Sequence, residues 1–200
     1  MRRMRVCGAM TAIAATVTGV PVQAQQKLDP SGGPSAAYVL QIGDAQSATV
    51  RQNASQGQSI IRQEGSGNNA KISTAGSART TAAIDQSGSG NRASAVQAGS
   101  GELSLAIVQQ GAYNKASAEQ RGSGGVNVAY MVQSGSYNTM DLTQTGEDNA
   151  AKMEQTGDRN AMNASQQGNR NSLTWQQTGN DLDHLKVTQH NGAAATIVQR

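Results

Sequence analysis

Apolar and polar positions alternate along most of this chain, in a pattern that restarts about every 11 residues. It is cleanest at Asn149, Ala151, Met153 and Gln155, with Lys152 and Glu154 between them. A spacing of two is strand periodicity, because successive side chains of a strand point to opposite faces. A helix of period 3.6 would scatter these four positions around its circumference. Each unit therefore predicts a strand of about seven residues whose inner face reads Asn, Ala, apolar, Gln.

The closing glutamine recurs at Gln41, Gln52, Gln63, Gln86, Gln97, Gln109, Gln120, Gln133, Gln144, Gln155, Gln166, Gln177, Gln189 and Gln199, with Thr74 in the one place where it fails. Two residues before each comes an apolar side chain, from Val39 to Trp175 and Ile197. Four before comes Ala, Leu or Met, except at Ser59. Six before, Asn is frequent: Asn68, Asn91, Asn114, Asn127, Asn138, Asn149, Asn160 and Asn171. Two after the glutamine comes Gly, as at Gly43, Gly65, Gly88, Gly111, Gly135, Gly146, Gly157, Gly168 and Gly179. Glycine supplies the positive φ that tight turns need. Insertions in the count fall in these turns, which supports the division into strand and turn.

A period this short and regular means one supersecondary unit copied many times. One unit buries almost nothing alone, so the units must stack. The fold predicted is all-β, a cross-β β-solenoid of two-stranded coils, about seven 22-residue repeats with strands ~4.8 Å apart. Gln then sits on Gln and Asn on Asn, each amide donating to one neighbour and accepting from the other. A buried amide without partners costs ~1–3 kcal/mol, so such a column is favourable only where it continues.

Composition agrees with a thin core. The 200 residues hold no Phe, four Tyr and one Trp. Richness in Gly, Gln, Asn, Ser and Ala would by itself suggest a disordered segment, but disorder has no reason to keep a register. The N-terminus has a different character. Met1 to Arg5 is basic, Val6 to Val20 is uncharged and apolar, and Val22-Gln23-Ala24 has the small residues of a cleavage site. The expected organisation is a signal peptide over 1–24, a flexible leader over 25–35 holding Pro30 and Pro34, and the repeat solenoid over 36–200. Cleavage would remove Cys7, the single cysteine, leaving no disulfide. Loss of Arg2, Arg3 and Arg5 would bring basic and acidic residues level, which removes the electrostatic footprint expected of a nucleic-acid partner.

No constellation for catalysis stands out. Asp and Glu are scattered rather than paired. His184 and His190 lie near Asp181 and Asp183 but read as surface residues beside a turn. Gly88-Ser89-Gly90 lacks the Lys-Ser/Thr of a phosphate loop, and Trp175 occupies a core position. The expectation is no enzyme, no cofactor, no metal and no small-molecule substrate. A soluble solenoid that binds through a flat face would need a regular outward row, whereas Thr49, Arg51, Asp141, Lys152 and Glu154 vary. A solenoid of the polysaccharide-lyase type would need charged clusters on one face. No capping element follows Gln199, and the strand at Tyr38 to Gln41 is similarly bare, so both ends are expected to pair with further copies in a cross-β fibre.

The pattern Gln-x-Gly-x-x-Asn-x-Ala-x-x-x-Gln resembles the curlin repeat of bacterial curli fibres. Gln86, Gly88, Asn91, Ala93 and Gln97 match it in full; so do Gln109, Gly111, Asn114, Ala116 and Gln120, and Gln144, Gly146, Asn149, Ala151 and Gln155. Gln63, Gly65, Asn68 and Ala70 match up to Thr74. The resemblance spans about 36–200. It implies a secreted amyloid subunit of biofilm matrix in Gram-negative bacteria, exported unfolded through an outer-membrane pore to an extracellular fibre at the cell surface. Its partners would be itself, other curlins, and the curli export and assembly machinery. The Ala36-Ala37-x-x-x-Gln41-x-Gly43 opening, Arg51-Gln52, Gln63-Glu64-Gly65 and Val198-Gln199-Arg200 resemble the minor, nucleating subunit more than the major one. On this resemblance the Gln and Asn positions above form the fibre spine and the glycines its turns.

Overall fold

The structure, a computed structural model, describes residues 13–18, 24–28 and 35–200. These form thirteen strands: β1 (Ile13–Thr18), β2 (Ala24–Leu28), β3 (Ala36–Asp44), β4 (Ser47–Ser66), β5 (Asn69–Ser89), β6 (Arg92–Ala112), β7 (Lys115–Ser136), β8 (Thr139–Gly146), β9 (Ala150–Thr156), β10 (Ala161–Gln167), β11 (Ser172–Thr178), β12 (Leu185–His190) and β13 (Ala194–Gln199). No helix occurs among the described residues.

From β3 onward every pairing is parallel, and the strands stack as a β-solenoid of about seven turns. One face runs through β3, the second halves of β4 to β7, then β9, β11 and β13. The other runs through the first halves of β4 to β7, then β8, β10 and β12. We call these face one and face two. The register puts the closing residue of each coil on its counterpart: Gln41 on Gln63, Gln86 on Gln109, Gln120 on Gln144, Gln166 on Gln189, and Thr74 between Gln52 and Gln97.

Two features differ from the expected alternation of short strands and turns. β4 to β7 are each 20 to 22 residues long and bend through the turn from face two to face one, with one or two residues skipped in the pairing at the bend. There the turn residues of successive coils stay in register, Ala54 on Gly76 and Gly76 on Gly99. From β8 on, tight four-residue turns such as Gly146-Glu147-Asp148-Asn149 interrupt the ladder and leave strands of six to eight residues. The extra residues of the middle coils enter at these face-two-to-face-one turns, where the register shifts at Ala54/Gln56 and Ser100/Glu102.

The core lies between the two faces, one layer of Ala at one inward position and Val, Ile, Leu or Met at the next. Burial alternates strictly, with Ala151, Met153 and Gln155 of β9 buried and their neighbours outside. Trp175 is completely buried, stacked between Met153 and Ile197 in one column. β1 pairs antiparallel with residues 47–52 and β2 antiparallel with β3, so the first-coil edge expected to be bare at Tyr38 to Gln41 is instead covered, because the segment before it folds back and pairs its backbone groups. The remainder of the segment read as signal peptide and leader falls outside the described residues.

Candidate functional site: the amide columns

On face one, eight glutamines form one column. Nε2 of Gln41 donates to Oε1 of Gln63, and the relay continues through Gln86, Gln109, Gln133, Gln155 and Gln177 to Gln199, every step 2.7 to 3.0 Å. All donors point toward the C-terminal coils, so the column has one direction. Several of these amides use their second N–H on the backbone of the facing strand, as Gln63 does on the Ser47 carbonyl and Gln86 on that of Asn69. The column is thereby tied across the core as well as along it.

Face two carries a second column from Gln97 through Gln120, Gln144 and Gln166 to Gln189, with steps of 2.7 to 2.8 Å and the same direction. Gln52 does not join it. Thr74, the next residue in its column, is too short to reach, and Gln52 donates instead to Ser59 Oγ and the Ala36 carbonyl. Gln52 Oε1, Thr74 Oγ1 and Gln97 Oε1 are all left buried without a partner. For the glutamines the expectation that each amide serves both neighbours fails at this gap, Gln52 Oε1 being the open start of its column. For the asparagines it fails as well, because most of their links run to the backbone of the next coil rather than to one another's side chains in relay.

The asparagines lace the turns. Asn68 Oδ1 accepts from the backbone N–H of Asn91, and Asn68 Nδ2 donates to the Gly88 carbonyl one coil on. The same two links recur for Asn91, Asn114 and Asn138, and on the opposite edge for Asn127 and Asn149. Asn160 reaches Leu182 N–H and the Gly179 carbonyl, and Asn171 accepts from Ala193 N–H. The turn glycines sit where a coil approaches the next most closely. Gly88 has φ +112°, and a Cβ there would collide with the Gly111 carbonyl oxygen. Gly43, Gly65, Gly111, Gly135, Gly146 and Gly157 repeat that geometry, and Gly168 and Gly179 also have positive φ.

Three functional details escaped the sequence reading. Gln46 takes the Asn role in the first coil, donating to the carbonyls of Ile42 and Gly65; its place six residues before Gln52 was the available signal. The face-one-to-face-two turn holds a left-handed residue, with φ between 52° and 66° at Ala45, Gly67, Gly90, Tyr113, Tyr137, Arg159 and Asp181; five of these precede an Asn, Ala45 precedes Gln46 and Asp181 precedes Leu182. In that column Tyr113 and Tyr137 stack with ring centres 5.1 Å apart, and Arg159 forks onto Asp181. Hydrogen bonding to Arg159 holds the Asp181 carboxyl below its ordinary range and raises the guanidinium in turn. On face one, hydrogen bonds from Lys152 and Gln176 lower Glu154, and Glu154 raises Lys152.

His184 and His190 are exposed. Among the described residues no group of three His, Cys, Asp or Glu side chains could hold a metal ion, and no helix is long and apolar enough to cross a membrane. What the arrangement offers is repetition: each coil presents to the next the donors and acceptors that it received from the one before.

A family model described as Curlin associated repeat matches residues 123–146. That segment is one full coil, comprising a turn, the face-one half of β7, the next turn and β8 to its closing glycine. No curated protein and no solved structure matches the chain.

Proposed function

We propose, from the premise that this is a curlin-repeat chain, that it is an exported structural subunit of a curli-type amyloid fibre, polymerising along the solenoid axis. The one-way glutamine column from Gln41 to Gln199 carries this reading. A column of dipoles with one direction joins head to tail with another copy by repeating the contacts it already contains. At the C-terminal end an added copy satisfies groups that would otherwise remain unpaired; at the first coil it takes the place of β1, which leaves with the signal peptide, and of β2, which it displaces. Cooperative amide stacking of this kind stabilises cross-β assemblies. The minor, nucleating subunit is the finer reading, with the major fibre subunit as its alternative. Residues 1–24 act as a cleaved signal peptide, and export uses the outer-membrane curli machinery.

The test is polymerisation of the purified chain without cofactor, followed by thioflavin-T fluorescence and fibre diffraction. A meridional reflection at ~4.7–4.8 Å is expected. A chain that stays monomeric for days at micromolar concentration overturns the proposal. Seeding of a second curlin at substoichiometric amounts separates the nucleating from the major role.

A further inference from the structure

The two outer surfaces of the solenoid differ. Face two is polar outside, with Thr49, Lys71, Ser94 and Ser117 in one outward column. Face one is apolar over its first coils. Its two central outward columns read Tyr38, Ile60, Ala83, Ala106, continuing to Tyr130, and, two residues along, Leu40, Arg62, Asp85, Val108; they are flanked by polar columns holding Gln58, Thr81 and Ser104 on one side and Glu64, Ser87 and Gln110 on the other. Tyr38 is 37 % and Ile60 44 % exposed, and they lie side by side rather than scattered singly.

We infer that this patch of face one binds a second copy of the chain, packed sheet against sheet with the two solenoid axes antiparallel. The order of residues within the columns selects this geometry. A two-fold axis along the strands, placed between the second and third coils, keeps each column facing itself and reverses the coil order. Tyr38 then meets Ala106 and Ile60 meets Ala83, so each large side chain faces a small one. Leu40 meets Val108. Arg62, which lies 3.7 Å from Glu64 in its own copy, meets Asp85 of the other copy, and Asp85 meets its Arg62, so the two opposite charges at the centre of the patch face each other. Moving the axis by half a coil, onto the third, sets Asp85 against Asp85. An axis along the solenoid keeps each coil facing itself, so Tyr38 meets Tyr38 or Leu40 and Arg62 never meets Asp85 of the other copy. Opposite charges at the centre of a contact fix register in this way even where they add little affinity.

Four coils at ~4.8 Å and seven residues at ~3.3 Å make a patch of roughly 440 Å² per copy. That is about half the ~800 Å² per partner of a stable pair. Single chains therefore pair weakly, and the contact strengthens where stacked copies present many patches in line. This association is lateral and separate from growth along the axis.

Charge reversal in the full chain tests it, using Arg62→Glu, Asp85→Arg and the double exchange. Mass per length is measured on filaments, and sedimentation equilibrium on whatever chain remains soluble. Wild type and the double exchange should pair; each single reversal should halve the mass per length and weaken soluble dimerisation at least about tenfold. Axial growth rates should not change, so loss of pairing is distinct from loss of polymerisation; if no filament forms, sedimentation alone decides. Single reversals that still pair, a double exchange that does not recover, or a wild type unpaired by both measurements would overturn the inference.

Discussion

The first four coils and the last three are built from the same unit, yet they satisfy its polar groups unequally. Among the described residues, five of the six buried side-chain atoms without a partner lie before residue 100, on Gln46, Gln52, Thr74, Thr80 and Gln97; the sixth is Trp175 Nε1. On the face-two-to-face-one edge the Asn position is filled by Gly57, Thr80 and Leu103 before Asn127, Asn149 and Asn171 take over. The later turns carry a further lace. Asp158 accepts from Ser136 N–H, Asn180 from Asp158 N–H and Asn169 from Glu147 N–H. The difference teaches that an amide column acts as a unit. One short side chain costs its own bond and strands an acceptor on the neighbouring coil.

Breaking the later half should have the largest effect. Asn149→Ala removes the acceptor for Asn171 N–H and the donor to the Gly168 carbonyl. Two groups are then left unpaired, for a loss of about 3 kcal/mol. Thr80→Ala, at the equivalent edge of the earlier half, deletes a hydroxyl that has no partner and should stay within about 0.5 kcal/mol of wild type. Urea denaturation of the two variants side by side checks both. Equal losses would mean that the two halves do not differ.

Repairing the earlier half comes next. Thr74→Gln should close the face-two gap, because the introduced amide can donate to Gln97 Oε1 and accept from Gln52. A gain of about 1–2 kcal/mol is expected, with slowed amide hydrogen exchange across residues 47–99. No change in exchange there would show that the orphaned atoms are already satisfied in solution.

The left-handed turn column offers a smaller adjustment. Tyr113 and Arg159 hold a φ of 55° that a non-glycine residue adopts at a cost of ~1 kcal/mol. The earlier coils place Gly67 and Gly90 at this position. Tyr113→Gly relieves that strain but loses the ring stack on Tyr137, so it should be close to neutral. Arg159→Gly loses an exposed ion pair of small worth and should stabilise slightly. Thermal melts of the two variants give the order, and a marked loss in both would mean that the side chains, not the backbone, set this turn.

The fold was legible because its two periods, two and eleven, come directly from strand pleat and coil length. Thr74 was legible as the break in the glutamine series, though its cost to Gln52 and Gln97 was not. The direction of the columns had no sequence signal, since an amide reads the same whichever neighbour it donates to. The unbroken strands β4 to β7 were hidden too: Gly76 and Gly99 look like stops, and only their stacking on each other keeps the ladder running. The left-handed column was masked by Tyr113, Tyr137 and Arg159, residues whose own preferences argue against that conformation. The laced Asn that follows forces the backbone, so tertiary contacts override local propensity. Gly67 and Gly90 at the same turn position were the trace of it.

Acid should expose the same asymmetry most gently. The lowered carboxyls, Glu154 and Asp181, both belong to the later coils. A carboxyl depressed in the folded chain adds stability above its unfolded pKa and loses it as pH falls through the folded value. Their contribution is therefore full at neutral pH and disappears on acidification through and below the ordinary carboxylate range. Lys152, raised by the same Glu154, contributes below its ordinary range and loses that contribution only in strong alkali. The ion pairs are exposed, so the effect is small and shrinks further with salt. Hydrogen exchange followed from neutral pH down to about pH 2, corrected for the intrinsic rate, should rise over residues 150–182 before it rises over 80–112, and 0.5 M salt should flatten the difference. A uniform response along the chain would show that these pairs do not distinguish the later coils from the earlier ones.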